Sequence, residues 1–214
     1  MYEIKISREY KKFKEIIETY FEEKQIELFF KYFDMLIEYN KTINLFTRKR
    51  SALIIKHFLD SIFGALKFED FLEKTSYNVI DVGSGNGLPG VIFSILYPEI
   101  EVKLFEKREK KSIFLNLLKR KLSLDNLNIE NKEFSNDFFK DNYFIILKGV
   151  NPYKIKNNII EFVKQKKCYY FSNYKVGEKK DIFADYLLPI YNVRHYIIKL
   201  REELLSEEDL WEKW

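Results

Sequence analysis

The sequence of 214 residues contains one cysteine, two histidines, four prolines and seven glycines. A single cysteine, Cys168, excludes an intramolecular disulfide and a zinc cluster built on cysteines. Two histidines without clustered cysteines give no metal-ligand spacing, so we expect no metal site. No apolar run approaches the roughly 18 residues of a transmembrane helix, and Met1–Lys5 do not resemble the start of a signal peptide. We therefore expect a cytoplasmic protein that does not interact with membranes.

The composition is that of a folded, mildly basic protein. Hydrophobic residues make up 46% of the chain, which is enough for a core and argues against global disorder. The length suits one domain with a helical extension. The formal net charge of +4 is compatible with a nucleic-acid partner without being evidence for one.

The hydrophobic rhythm divides the chain in two. Residues 7–66 have helical spacing with a polar break at Asn40–Thr42, and a further helix is predicted from Ser51, its N-cap, to Leu66. From Asn78 onward, short apolar strands alternate with amphipathic helices. This alternation predicts an α/β fold with a doubly wound, mainly parallel sheet, ending in an antiparallel pair. The predicted strands are 78–82, 101–105, 127–130, 143–147, 168–172, 187–191 and 194–200, and the predicted helices of this part are 89–97, 109–122 and 153–165.

The same rhythm predicts the domain organisation. A helical N-terminal cap (1–74) precedes an α/β body (75–200) and a charged C-terminal tail (201–214). We expect the three parts to form one compact unit.

Four of the seven glycines fall within the eight residues from Gly83 to Gly90. An apolar run precedes them and another follows, which predicts a strand, a tight turn and a helix. Glycine is required where the backbone adopts a positive φ or contacts a ligand closely. A helix that begins at such a turn directs free N–H groups at whatever is bound. The turn therefore predicts a cofactor site.

Two cofactors compete for this turn. Residues 85–90 match the G-x-G-x-x-G pattern of dinucleotide binding, and Glu106 ends the next strand about 20 residues later, where an acid holds a ribose. Asp81, however, precedes the first glycine, as in proteins that bind S-adenosylmethionine (SAM). A carboxylate suits the cationic methionine moiety and repels a pyrophosphate, so SAM is favoured over NAD. A purely structural turn is the third reading.

Several further segments occur in an informative order. The ordered segments are NKTINL (40–45), HFLDS (57–61), DVGSGNGLPG (81–90), EKREKKSIFL (106–115) and RHYIIK (194–199). Together they resemble the RsmG (GidB) family of bacterial methyltransferases, which modify N7 of one guanosine in 16S ribosomal RNA. The resemblance runs from about residue 28 to residue 200.

The resemblance implies a Rossmann-like SAM-dependent methyltransferase fold with helices on both faces of the sheet and a helical N-terminal cap. It also implies cofactor contacts at Gly83, at Leu88 and in an element after the third strand. Where the family has arginine, alanine and glutamate, this chain has Asn131, Lys132 and Glu133. The cofactor-binding residues predicted here are Asp81, Gly83, Ser84, Gly85, Gly87, Leu88, Glu106, Lys107, Lys132, Glu133 and Lys148.

The substrate side departs further from the family. Lys148 stands where the family has an arginine, and lysine lacks the bidentate fork of arginine. We predict that Lys148 and Arg194 position the substrate. Guanine N7 has a lone pair and no proton, so we expect orientation and no general base. His57 and His195 are predicted to be structural, with His57 fixing the cap near the pocket.

Phosphate contacts are predicted for the basic residues outside the strands. The candidate residues are Arg48, Lys49, Arg50, Lys110 and Lys111.

The sequence thus predicts a monomeric SAM-dependent methyltransferase that acts on 16S rRNA of the small ribosomal subunit. Two alternatives remain at this point. One is a SAM methyltransferase with another substrate, such as a small molecule or a protein. The other is a non-catalytic RNA- or ribosome-binding module that retains a degenerate SAM fold.

Overall fold

A computed structural model describes residues 7–46 and 51–211. The predicted capping hydroxyl of Ser51 and the basic residues Arg48, Lys49 and Arg50 lie outside the described part. The helices are α1 (Arg8–Tyr20), α2 (Glu23–Tyr39), α3 (Ser51–Leu66), α4 (Glu69–Thr75), α5 (Gly90–Leu96), α6 (Glu109–Leu122), α7 (Lys156–Lys164) and α8 (Glu202–Ser206). The strands are β1 (Asn78–Val82), β2 (Val102–Phe105), β3 (Leu127–Glu130), β4 (Tyr143–Lys148), β5 (Cys168–Ser172), β6 (Ile182–Leu188) and β7 (Val193–Lys199).

The seven strands form one sheet in the order β3-β2-β1-β4-β5-β7-β6. Strands β1 to β5 are parallel, and β7 is antiparallel to both β5 and β6. The carboxyl ends of β1, β2 and β4 therefore meet at one edge, next to the reversal of strand order between β1 and β4. Open α/β sheets bind their ligands at such an edge. The predicted α/β fold with a mainly parallel sheet is confirmed.

The N-terminal helices cover one face of the sheet. Phe13, Phe33 and Phe58 pack against one another with ring centroids 4.8–5.7 Å apart. Phe68, at the end of this helical layer, stacks on Phe144 of β4 at 5.2 Å. The helical cap and this face of the sheet share one hydrophobic cluster, so the cap is held against the site edge by core packing.

The C-terminal residues pack on the opposite face. Trp211 is fully buried, its ring lies 5.2 Å from that of Tyr170, and its indole N–H donates to the Leu204 carbonyl at 2.8 Å. The charged segment predicted as a tail thus contributes apolar side chains to the second core cluster, together with α7 and β5.

Most predicted elements agree with the structure, with two differences. The prediction of a strand at 187–191 is wrong, because β6 spans Ile182–Leu188. Pro189 cannot donate to a ladder, and Ile190 and Asn192 adopt positive φ values of 73° and 51°, so these residues form the turn into β7. The second difference is that the short helices α4 and α8 are absent from the predicted elements.

Within residues 7–46 and 51–211, none of the helices has the length and apolarity needed to cross a bilayer. The same part of the chain contains no cluster of three or more His, Cys, Asp or Glu side chains suited to a metal ion.

Candidate functional site at the carboxyl edge of the sheet

The glycine turn follows β1 directly. Gly83, Gly85 and Gly87 have φ values of +72°, +58° and +95°, which side chains rarely tolerate. A Cβ on Gly83 would lie 2.6 Å from Val150, and one on Gly87 would lie 2.7 Å from Val91. A Cβ on Gly85 would meet only ordinary contacts of 3.6 Å or more. Gly85 is therefore the glycine of the three that opens toward a ligand.

Asp81 lies beneath this turn. Its carboxylate is almost fully buried and accepts a hydrogen bond from the Gly90 amide at 2.9 Å, which anchors the start of α5. Burial raises the pKa of Asp81 to about 7, against the opposing effects of the Gly90 hydrogen bond and the Lys148 charge. Asp81 lines neither of the two cavities at this edge. In this position Asp81 supports the turn from below, and its predicted cofactor contact remains a prediction.

Glu106 directly follows β2 and faces the turn. One carboxylate oxygen accepts from the Gly85 amide at 2.9 Å and the other from the Arg108 amide at 2.8 Å. A carboxylate has about four acceptor positions, so two remain for a ligand. Glu106 thereby holds the turn and presents acceptors to a cavity of about 280 Å³.

The remaining predicted residues of this side surround the same cavity. Lys107 and Glu133 form an ion pair of 3.2 Å at its rim, and Lys132 pairs with Glu130 at 3.0 Å. Phe134, which is buried, adds an apolar wall. The structure thus brings Lys107, Lys132 and Glu133 together with Glu106, as expected from the end positions of β2 and β3.

A second cavity of about 320 Å³ adjoins the first. The two cavities have Gly83, Gly85, Arg108, Lys111 and Gly149 in common. The second cavity extends toward the cap and β5, and its further lining includes Phe46, His57, Ser84, Leu88, Phe171 and Asn173. Gly87, in contrast, lines neither cavity, because it packs against the α2 side chain of Tyr32.

Lys148 ends β4 at the second cavity. Its ammonium group donates to the Asp60 carboxylate at 2.5 Å, to the Ser61 hydroxyl at 2.8 Å and to the His57 carbonyl at 3.2 Å. An ammonium group has three N–H donors, and all three are occupied. Lys148 therefore connects α3 to β4 and has no donor left for a phosphate in this arrangement.

Asp60 is the centre of a buried polar network. Its second oxygen accepts from the Tyr186 hydroxyl at 2.7 Å and lies 2.6 Å from Nδ1 of His195. Burial alone would raise the pKa of Asp60, but the Lys148 ammonium and His195 hold this pKa well below its usual range. The network connects α3 with β4, β6 and β7. Sequence reasoning missed it, since Tyr186 and His195 lie 126 and 135 residues from Asp60 along the chain.

His57 lines the second cavity beside Phe46, with the two rings stacked at 5.9 Å between centroids. The pKa of His57 is lowered to about 4, mainly by burial. The positive charge of Lys148 also lowers this pKa, and its effect is larger than the opposing effect of the Asp60 carboxylate. The imidazole is therefore neutral at pH 7. Its role as a structural prop remains a prediction, now with a place in the cavity wall.

Arg194 does not reach the site. It lies near the start of β7, is more than half exposed, and forms an ion pair with Asp185 of β6. Side chains alternate along a strand, so Arg194 faces away from its buried neighbour His195 and from both cavities. The predicted contact of Arg194 with the substrate is not supported by this placement.

Comparisons with known proteins agree on one family. The family model described as GidB, rRNA small subunit methyltransferase G, matches residues 25–181, almost three quarters of the chain. A ribosomal RNA small subunit methyltransferase G of Streptococcus agalactiae is 28% identical over 192 residues, covering 87% of this chain and 71% of that protein. The protein of the same name from Lactococcus lactis subsp. cremoris is 34% identical over 108 residues, covering 50% of this chain and 44% of that protein.

A solved structure supports the fold. A variant of MtNAS in complex with S-adenosylmethionine superposes with a TM-score of 0.50 at 16% sequence identity. The superposition covers 81% of this chain and 72% of that one. At this identity the likeness concerns the arrangement of helices and strands alone.

Proposed function

The chain belongs to the rRNA small subunit methyltransferase G family, and we propose that it transfers the methyl group of SAM to N7 of a guanosine in 16S ribosomal RNA. The observation that carries this proposal is the pair of adjoining cavities at one sheet edge, which share residues of the glycine turn, Gly149, Arg108 and Lys111. A methyl transfer between two bound molecules needs such neighbouring sites.

The first cavity suits the adenosine part of SAM. The two open acceptor positions of Glu106 match the two hydroxyl groups of a ribose, and Phe134 with Val82 provides apolar surface for the adenine. Gly85, which lines both cavities, leaves room for the cofactor between them. When bound, SAM supplies an electrophilic methyl group on its sulfonium. From the sequence prediction we retain Gly83, Ser84, Gly85, Leu88, Glu106, Lys107, Lys132 and Glu133 as the proposed cofactor residues.

The second cavity suits the target guanine. Phe46, His57 and Phe171 give it aromatic walls on which a base that has left its stack can pack. Asn173 follows β5, is exposed, and brings an amide that can hydrogen-bond to a base edge. These residues hold the base, and no residue needs to remove a proton, because N7 carries none.

Lys148 acts in this proposal as a positioning residue. It fixes the backbone of His57 and the side chain of Asp60, and with them the cap helix that forms one wall of the base cavity. We further propose that the enzyme is monomeric, works in the cytoplasm without a metal ion, and meets its RNA in the small ribosomal subunit.

The test is transfer from methyl-labelled SAM to small ribosomal subunits taken from cells that lack this activity. We expect label in 7-methylguanosine of 16S rRNA with the wild-type protein, and much less with Glu106→Ala when the SAM concentration is low. Label in protein or in a small molecule would show a different substrate. SAM binding without any transfer would favour a non-catalytic module.

A further inference from the structure

Lys111 occupies an unusual position at the junction of the two cavities. It lies in the first turn of α6 and lines both cavities. Its ammonium nitrogen is 3.6 Å from the point where a Cβ on Gly85 would lie, so it reaches over the glycine turn. Lys111 is half-buried, whereas the preceding residue, Lys110, is exposed and lines neither cavity.

The ammonium group of Lys111 has no protein partner within residues 7–46 and 51–211. The Glu106 carboxylate attracts Lys111 but forms no ion pair with it, and it accepts hydrogen bonds from two backbone amides. Burial lowers the pKa of Lys111, against the attraction of Glu106. A partly desolvated cation without a partner is unfavourable. Such a group in a cavity wall is best explained by an anion that arrives with a ligand.

We propose that Lys111 binds the α-carboxylate of SAM, an inference that rests on the proposed function. The carboxylate is the single anionic group of this cofactor, which otherwise carries a sulfonium and an ammonium. A lysine near these cations is tolerable only if it is paired with the carboxylate. Lys111 thereby selects cofactors with an intact methionine or homocysteine carboxylate.

Two alternatives are weaker on the same observations. Arg108 also lines both cavities, but its side chain is exposed, so solvent already satisfies its charge. An RNA phosphate is the other possible anion. Phosphates remain hydrated at the surface of a complex, whereas Lys111 reaches over Gly85 into the region shared by both cavities.

The experiment compares SAM with decarboxylated SAM, which differs from it by the carboxylate alone. Dissociation constants are measured by calorimetry for the wild-type protein and for the variants Lys111→Met, Lys111→Arg and Lys110→Met. We expect the wild type to bind SAM more tightly than decarboxylated SAM by about 10-fold to 100-fold, the range of a hydrogen bond to a charged group.

Lys111→Met should lose this preference by weakening SAM binding, with the affinity for decarboxylated SAM nearly unchanged. Lys111→Arg should retain the preference at least in part, and Lys110→Met should bind SAM and decarboxylated SAM with the wild-type affinities. An unchanged preference in Lys111→Met would overturn the inference, and a simultaneous loss of RNA binding would assign Lys111 to a phosphate. A wild-type protein that binds neither compound would instead overturn the proposed function itself.

Discussion

The two sides of the site edge are built in different ways. On the Glu106 side, most groups that face the cavity lie between residues 82 and 134, in the turn after β1 and near the ends of β2 and β3. A few more come from residues 149–158. On the Lys148 side, the polar groups come from α3, β4, β6 and β7, and the contacts cross up to 135 residues of sequence. The first side follows from a local motif, and the second exists only after the whole sheet and the cap have assembled.

The difference extends to what the groups can do. Glu106 retains acceptor positions for a ligand after holding the turn. All three donors of Lys148 are occupied, and the Asp60 carboxylate is in contact with Lys148, Tyr186 and His195. We therefore expect substitutions on the Glu106 side to reduce ligand binding, and substitutions on the Lys148 side to reduce stability.

The largest effect is expected for Asp60→Asn. This change leaves the Lys148 ammonium buried without a counter-charge, and breaking a buried ion pair in this way costs about 3–5 kcal/mol. The free energy of unfolding is measured by denaturant titration. Asp185→Asn, which breaks the exposed pair with Arg194, is the matched control and should change it by less than about 1 kcal/mol. Equal midpoints for Asp60→Asn and the wild type would show that the network does not stabilise the fold.

Glu106→Ala should produce the next largest effect. It removes the acceptors for the Gly85 and Arg108 amides and for the proposed ribose, so binding of S-adenosylhomocysteine should weaken by about 1–3 kcal/mol. Calorimetry measures this, with Glu109→Gln as the control, because Glu109 is exposed and lines neither cavity. A loss of equal size in both variants would mean that Glu106 has no special place in the cavity.

His57→Asn should have a modest effect on activity and no effect on the shape of its pH profile between pH 6 and 8. The folded-state pKa of about 4 keeps the ring neutral throughout that range. In the unfolded chain, His57 binds a proton below about pH 6.5, whereas in the folded protein it does so only near pH 4. His57 therefore makes the free energy of unfolding decrease as the pH drops from about 6.5 to about 4. In His57→Asn this part of the pH dependence of stability should be absent. Disappearance of a titration near pH 6–7 from the rate profile would show that His57 transfers a proton.

The smallest effect is expected for Arg194→Ala. The side chain is exposed and paired on the sheet face away from the cavities, so transfer to 16S rRNA and stability should both stay close to wild type. A selective loss of transfer, measured with stability unchanged, would place RNA contacts on the outer strands.

Sequence patterns predicted the Glu106 side almost completely, since β1, the turn, β2 and α6 are short-range elements with clear periodicity. The strand 127–130 and the helix 109–122 have the predicted bounds. What was not predicted has physical causes. The motif does not show that folding buries Asp81 beneath the Gly90 amide, because no local pattern distinguishes a buried acid from an exposed one at this position. The partners of Asp60 are fixed by sheet order, which periodicity along the chain does not encode.

The division of the site between cofactor and base is tested most directly by measuring two quantities on the same two variants. Binding of S-adenosylhomocysteine and methyl transfer to 16S rRNA are compared for Glu106→Ala and Asn173→Ala. We predict that Glu106→Ala loses cofactor affinity, whereas Asn173→Ala binds the cofactor as the wild type does and transfers methyl groups more slowly at low RNA concentration. Loss of cofactor binding in Asn173→Ala, or normal binding in Glu106→Ala, would contradict the assignment of the two cavities.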